Sequence, residues 1–218
     1  MGKAANSSIS LKQIHVTDNF WNKYVHLVKD VIIPYQWDIL NDKLEDVETS
    51  HCIENFKIAA GEKEGEFQGA VFQDTDVAKW LEAVGFVLNY ERDEKLEELA
   101  DETIELIGRA QQPDGYLNTY FTIKEPDGRW SNLMEGHELY TAGHMIEAAV
   151  AYYEATGKRR FLEIVSKFAD LVCQTFGSEE GKIHGYPGHQ EIELALVKLY
   201  RVTPVSYTHL RAHETLSD

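Results

Sequence analysis

Two stretches of the chain, Ala148-Ala149-Val150-Ala151-Tyr152-Tyr153-Glu154-Ala155-Thr156 and Ala195-Leu196-Val197-Lys198-Leu199-Tyr200-Arg201-Val202-Thr203, match in character almost position by position. Trp80 to Tyr90 is a looser third copy. Small and apolar residues at helical spacing cannot bury their own surface. Copies repeated along a chain therefore imply an array whose neighbours stack to make one core. The two closer copies each follow a Gly-His step, Gly143-His144 and Gly188-His189. Periodicity alone leaves the array open as a solenoid or closed as a toroid of inner and outer helices.

The segments between the copies extend the helical reading. Asp18 is placed to cap a helix beginning at Phe20-Trp21, and Val25, Val28, Ile32 and Ile33 continue its spacing until Pro34 kinks or restarts it. Glu45 to Thr49 reads as an acidic loop, and Cys52 to Ala60 as a short helix closed by Gly61. Val77, Trp80, Leu81, Val84 and Leu88 form an apolar stripe after Asp74. Leu96, Leu99, Ile104 and Ile107 form another, with carboxylates opposite, stopped by Gln111-Gln112-Pro113-Asp114-Gly115. Further helices are expected from Glu138 to Ala155, from Arg160 to Phe176 and from about Gln190. Ile14-His15-Val16 is a brief strand or extended lead-in, and Tyr116 to Ile123 is the one longer stretch that reads as β. The expected fold class is all-α.

Composition narrows the partners. The 218 residues are 43% hydrophobic and 27% charged, with Lys+Arg 21 against Asp+Glu 37 and a formal net charge of -16. That field repels phosphate backbones and anionic lipid, so neither nucleic acid nor a membrane is an expected partner. No run approaches the ~18 consecutive apolar residues of a membrane span. The two cysteines, Cys52 and Cys173, are too few for a disulfide framework. The N-terminus lacks an apolar signal region, and Asn6 stands where myristoylation needs Ser or Thr. A cytoplasmic location is the expectation.

Candidate chemistry centres on histidine. His137 and His144 are seven residues apart at the start of one helix and share a face. His184 and His189 stand in the Gly-rich loop before the next helix. Core hydrogen bonding and capping account for most such histidines. Glycine beside them lets a ligand approach closely, and helix N-termini tend to line pockets. Phe72, Gln73 and Asp74 also precede a helix. Asp74 or Asp76 suits an N-cap; alternatively the segment is a polar rim for a hydroxyl-rich ligand, with Phe72 as a stacking face. The chain has no Gly-rich phosphate loop, nucleophile elbow or CxxC motif. It offers no evident catalytic or metal-ligand set.

Several long motifs in order add a resemblance. They are Ile33-Pro34-Tyr35-Gln36-Trp37, Val71-Phe72-Gln73-Asp74-Thr75-Asp76-Val77-Ala78-Lys79-Trp80-Leu81-Glu82, Ala110-Gln111-Gln112-Pro113-Asp114-Gly115-Tyr116-Leu117, Glu135-Gly136-His137-Glu138-Leu139-Tyr140, Gly143-His144-Met145-Ile146-Glu147-Ala148-Ala149-Val150-Ala151-Tyr152 and Gly188-His189-Gln190-Glu191-Ile192-Glu193-Leu194-Ala195. Through them the chain, from about Ile14 to Thr203, resembles the β-L-arabinofuranosidase family, glycoside hydrolase family 127. The resemblance implies an (α/α)6 toroid followed by β-sandwich domains, and retaining hydrolysis of terminal β-L-arabinofuranosides on plant-type glycans. It implies a zinc-bound cysteine nucleophile and a glutamate acid/base, and it makes His137 and His189 sugar-binding residues of the glycone pocket. Cys52 and Cys173 match none of the family's cysteines. The nucleophile, the acid/base and the zinc ligands are therefore expected beyond this sequence, and this polypeptide is expected to hold no zinc and to be inactive alone.

The domain organisation expected is a flexible leader over 1–13, the N-terminal part of a toroid built from helical hairpins over 14–203, and a tail over 204–218. Pro204 to Asp218 breaks the repeat where the earlier copy turns at Thr156-Gly157, and it reads as non-native sequence. A homodimer is the expected state of the full-length protein. The rival reading is a non-catalytic helical scaffold or sugar-binding protein. Convergence of His137 and His189 on one pocket separates a glycosidase from a scaffold.

Overall fold

The computed structural model describes residues 9–203, and the expectation for the tail at 204–218 lies outside them. Nine α-helices carry these described residues: α1 (Asn19–Leu27), α2 (Ile33–Leu40), α3 (Cys52–Ala59), α4 (Asp74–Tyr90), α5 (Glu94–Ala110), α6 (Thr119–Ile123), α7 (Glu138–Thr156), α8 (Arg160–Thr175) and α9 (Glu191–Val202). They contain no strand; one isolated bridge joins Phe176 to Ile183.

Start signals in the sequence act as written. Asp18 Oδ1 accepts from the Phe20 and Trp21 amides at 3.0 and 2.7 Å, opening α1. Asp93 Oδ1 accepts from Leu96 at 3.1 Å, opening α5. Gly157, at φ 76°, closes α7 in the left-handed conformation that glycine adopts freely. Pro34 neither breaks nor sharply restarts its helix. It has no N–H to donate one turn back, and the chain passes it through a wide π turn, Val28–Ile32, between α1 and α2.

The helices stand in two rows. α2, α4, α7 and α9 pack side by side in one row; α3, α5 and α8 stand in the other. Burial follows this placement. α5 and α8 each bury one face, with Ala100, Thr103, Ile104, Leu106, Ile107 and Ala110 inward on α5. α7 buries residues almost all round, from Glu138 and Leu139 through Tyr152, because it is flanked in its own row by α4 and α9 and backed by α8. The three similar sequence copies lie on the adjacent helices α4, α7 and α9. Matching positions do matching work: Thr156 Oγ1 bonds the Tyr152 carbonyl at 2.8 Å and Thr203 Oγ1 the Leu199 carbonyl at 2.7 Å.

Glycines set the spacing within the row. A Cβ on Gly85 of α4 would lie 2.8 Å from the Ala151 carbonyl carbon and 2.9 Å from the Tyr152 nitrogen of α7. A Cβ on Gly143 of α7 would lie 3.0 Å from both the Glu191 carbonyl carbon and the Ile192 nitrogen of α9. Backbone therefore meets backbone, and α4, α7 and α9 run parallel with no room for a side chain at these crossings.

Two expectations are corrected, and at Ile14 to Val16 the extended lead-in forms rather than the strand. Tyr116 to Ile123 is not β: Tyr116 to Asn118 leads into α6, where Asn118 Oδ1 caps the Phe121 amide at 3.1 Å. Aromatic and β-branched residues favoured a strand, but the cap and a tertiary bond to Thr119 start a helix. Ile14 to Val16 forms no strand and follows a 3-10 turn, Leu11–Gln13, that packs on α4. The two Gly-His steps are also not equivalent. Gly143-His144 lies inside α7, whereas Gly188-His189 precedes α9; the counterpart of His189 is Gly136-His137, immediately before α7.

The glycine crossing can be tested at one position. In an open helix interior Gly→Ala gains roughly 1 kcal/mol from propensity. At Gly85 the methyl meets Ala151 backbone, so Gly85→Ala is expected to destabilise by about 1–3 kcal/mol, the cost of overpacking. A melting temperature equal to or above that of the parent chain would show that α4 and α7 separate without cost.

Candidate functional site

The starts of the parallel helices α4, α7 and α9 gather at one end of the row, and each brings a ring. Phe72 before α4 lies 5.1 Å, centroid to centroid, from His137 before α7. His137 lies 5.2 Å from His189 before α9. Tyr140, one turn into α7, joins them at 5.6 Å from His137 and 4.8 Å from His189. His144, a further turn along, lies edge-on to Tyr140 at 4.5 Å. His137 and His189 thus converge on one patch, as a glycosidase pocket requires and a scaffold does not. Phe72 and His189 are exposed, His137 and Tyr140 half-buried. His184 is exposed and makes no contact with this group of rings.

The loops before α7 and α9 are pressed together to achieve this. A Cβ on Gly188 would lie 2.6 Å from the Met134 carbonyl oxygen, and one on Gly185 would lie 2.6 Å from a Leu133 methyl. The Gly188 amide donates to the Leu133 carbonyl at 3.3 Å. His137 itself has φ 54°, a left-handed conformation unusual for a branched side chain, and its carbonyl accepts the Thr141 amide at 2.8 Å. Its Nδ1 is 2.6 Å from the Glu135 carbonyl. A carbonyl only accepts, so Nδ1 carries the proton and Nε2 is left to meet a ligand.

Gln73 is committed to the rim. Its Nε2 donates to Asp76 Oδ2 at 2.7 Å and to Ser50 Oγ at 3.4 Å, and its Oε1 accepts the Ala70 amide at 3.1 Å. Burial raises the Asp76 carboxyl above its ordinary range, opposed by Lys79. Lys79 Nζ reaches the Tyr140 hydroxyl at 3.2 Å and stands 5.3 Å from that ring's centre. Asp74 is neither a helix cap nor on the open rim. It is 1% exposed and accepts from the Thr119 amide at 2.7 Å and the Thr119 hydroxyl at 2.5 Å. Burial raises its carboxyl to about 6 despite those two bonds.

Asp74 has structural counterparts. α4, α7 and α9 each begin on an acid: Asp74, Glu138 and Glu191. A helix start favours a carboxylate through its unpaired amides and dipole. Glu138 is 2% exposed and accepts from the Tyr116 hydroxyl and from the Trp130 amide at 2.7 Å. These bonds fasten the 116–130 segment beneath the rim. Glu191 finds no such donor: its Oε1 is buried without a partner, and it faces Glu147 and His144 instead. Tyr140 is the residue that sequence reasoning passed over, while Glu138 and Glu191 read from sequence as parts of solvated helix faces and are instead buried and half-buried. The signal for Tyr140 was its helical spacing, three residues after His137 and four before His144.

The zinc centre implied by the resemblance does not fit the residues present. Cys52 is fully buried on α3, its Sγ is 3.3 Å from the Gln73 carbonyl, and burial pushes its thiol well above the ordinary value. Cys173 is half-buried on α8. Among the described residues, one group of three ligand-type side chains comes together, His144, Glu147 and Glu191, and it contains no thiol. Lys198 pairs with Glu147 there and supplies the positive charge.

Comparison with known proteins agrees with this geometry. The model of the beta-L-arabinofuranosidase GH127 catalytic domain matches residues 13–208. A non-reducing end beta-L-arabinofuranosidase of Bifidobacterium longum subsp. longum is 45% identical over 206 residues, covering 87% of this chain and 31% of that protein. The crystal structure of a GH127 beta-L-arabinofuranosidase from Geobacillus stearothermophilus T6 superposes with a TM-score of 0.91 at 61% identity, covering 93% of this chain and 32% of its own. A second solved GH127 beta-arabinofuranosidase gives a TM-score of 0.86 at 36% identity, covering 94% of this chain and 33% of its own. The chain thus spans about a third of the length of these relatives, and its two helical rows are part of an (α/α)6 toroid. No helix among the described residues is long and apolar enough to cross a membrane. The chain belongs to glycoside hydrolase family 127, whose catalytic domain it represents in part.

Proposed function

We propose that this chain supplies one side of the glycone pocket of a retaining glycoside hydrolase that removes terminal β-L-arabinofuranosyl residues from plant-type glycans. The observation that carries the reading is the 5.2 Å approach of His137 to His189 at the starts of neighbouring helices. Two imidazoles at that separation offer hydrogen-bonding nitrogens to vicinal hydroxyls of one small sugar ring. Phe72 and Tyr140 beside them offer faces to its C–H surface. Gln73 and Asp74 serve this pocket from behind: Gln73 ties the loop that carries Phe72, and Asp74 anchors Thr119 beneath it. The names of the family relatives supply the arabinofuranoside.

The pocket binds; it does not cleave. Neither a thiolate nor a carboxylate of the described residues stands among the rings with the freedom to attack or protonate a glycosidic bond. In this reading the nucleophile, the acid/base and any zinc come from the part of the full-length enzyme that follows. A cytoplasmic setting agrees with the low cysteine content.

Two outcomes are expected. The 218-residue chain gives no turnover of an aryl β-L-arabinofuranoside, with or without zinc; turnover above the blank would refute the division of labour proposed. In the full-length enzyme, His137→Gly and His189→Ala each lower kcat/KM roughly 10- to 100-fold, the loss of one or two hydrogen bonds to substrate. Glycine suits the left-handed backbone at 137, so His137→Gly melts no lower than the parent, whereas His137→Val loses about 1–2 kcal/mol to strain. Unchanged kinetics in both histidine variants would remove these residues from the pocket.

A further inference from the structure

Behind the ring patch, α7 and α9 meet through a cluster of charged groups that sugar binding does not use. Glu147 is 6% exposed and pairs with Lys198 of α9. Glu191, the first residue of α9, packs against it, and the carboxyl oxygens of Glu147 and Glu191 and a ring nitrogen of His144 all lie within 4.8 Å of one another. His144 Nδ1 is 3.4 Å from Glu191 Oε1 and 4.0 Å from Glu147 Oε2. Both ring nitrogens of His144 and Glu191 Oε1 are buried with no hydrogen-bond partner. From α4, Glu82 lies 4.0 Å from Lys198 Nζ, and Lys79 and His189 face His144. Lys198 thus answers Glu147 and Glu82, while Glu191 packs against Glu147.

Two carboxylates this close, shielded from water, cannot both stay ionised when a single ammonium answers them. Nor can they move apart freely, because the Glu191 backbone is held 3.0 Å from where a Cβ of Gly143 would stand. The equivalent acids of the other two helices solve the problem with donors: Thr119 for Asp74, Tyr116 and Trp130 for Glu138. Glu191 Oε1 accepts no such bond, since His144 Nδ1 stands 3.4 Å away without forming one, and toward the Glu147 carboxylate Glu191 can only donate.

We propose that Glu191 keeps its proton and through it donates a hydrogen bond to the Glu147 carboxylate, forming an acid–carboxylate latch that seats α9 on α7 and so positions His189 against His137 and Tyr140. The inference rests on the glycone-pocket reading only for what His189 binds. Glu147 and Glu191 are positioning residues, with His144 packed between them and Tyr140. Burial and the Glu147 charge hold the Glu191 carboxyl far above the ordinary range, to about 8, and Lys198 opposes them. Glu147 moves the opposite way, below its ordinary value, through its bonds to Glu191 and Lys198 against the cost of burial. Desolvation lowers His144 to about 4, so its imidazole is neutral.

The sign of the pH dependence follows. A carboxyl raised in the folded state contributes stability that is full below its unfolded value and is lost as pH rises through the folded one. Asp74, raised to about 6, completes that loss at lower pH, and lowered His144 loses its contribution on the acid side of neutrality. Between about pH 6.5 and 8.5 the Glu191 carboxyl therefore loses its contribution. Opening it releases one proton and leaves two facing anions.

The test uses the 218-residue chain and three variants. The melting temperature of the parent is expected to fall by roughly 5 °C between about pH 6.5 and 8.5. Glu191→Gln, which keeps a donor that cannot ionise, flattens that fall, and Glu191→Ala melts lower at both pH values. The imidazole NMR signals of His189 and His137 report position: in the parent they lose the ring-current shift from Tyr140 at the higher pH, and in Glu191→Gln they keep it. A Glu191→Gln chain with the parent's pH slope would overturn the latch. So would stabilisation of the parent by zinc that vanishes in His144→Gln, which would make the cluster a cation site. None of these readouts involves sugar, so failure of the glycosidase reading would appear separately, in the kinetics of His137→Gly and His189→Ala.

Discussion

The structure depends on backbone-to-backbone contact between parallel helices of one row. Parallel neighbours in a chain must be separated by a returning helix, so α4, α7 and α9 are each followed or preceded by a connection through the second row. A Cβ at the crossing would stand 2.8 to 3.0 Å from the partner's backbone and force the pair to shift; Gly85 and Gly143 remove it. Two consequences follow from the same closeness. α7 becomes buried nearly all round, which is why its apolar residues show no single stripe. The polar side chains that point sideways from it, Glu147 above all, are also sealed between helices and must find partners there.

The end of the row where the helices start is built on a second regularity. Each of α4, α7 and α9 begins on an acid, and the residues just before that acid face outward into the ring patch. An acid at a helix start is ordinarily a solvated charge that the helix dipole welcomes. Here the connecting segments fold over the starts, and the acids become fasteners. Asp74 and Glu138 hold successive parts of the 116–130 segment, whose Tyr116 ring packs edge-on against Trp130 and Phe168. The segment beneath the ring patch is thus attached through buried carboxylates, with Phe72, His137 and His189 gathered above it.

Much of this was legible in the sequence. The three similar copies mark the three adjacent helices, and Asp18, Asp93 and Gly157 mark ends that the structure keeps. These signals are local: a cap and its amides lie within one turn. The errors arose where a distant partner decides. Nothing within Tyr116 to Ile123 reveals that Thr119 will meet Asp74, and without that bond the residue types favour a strand. Asp74 itself has the pattern of a cap or a rim residue, and only the fold over it turns it inward. Repetition of Gly-His suggested that His144 and His189 were counterparts. Their true register depends on where α7 starts, and that start follows from Gly136, whose missing Cβ makes room for the Asn132 carbonyl and allows His137 its left-handed turn.

The order of residues around the patch also follows the order of the helices that carry them. Each helix of the row contributes to the rim through residues at or just before its start, and the helices of the row follow one another in chain order with a helix of the second row between them. The ring patch is therefore contributed in chain order, Phe72, then His137 and Tyr140, then His189, and each new contributor needs only the helix before it as a support. A wall made this way is complete as far as the row extends, whatever follows. Bond cleavage has a different requirement, since an attacking group and a proton donor must face the sugar from beyond its reacting carbon. On the proposed reading, such groups would approach from a side of the toroid other than the one that carries the ring patch.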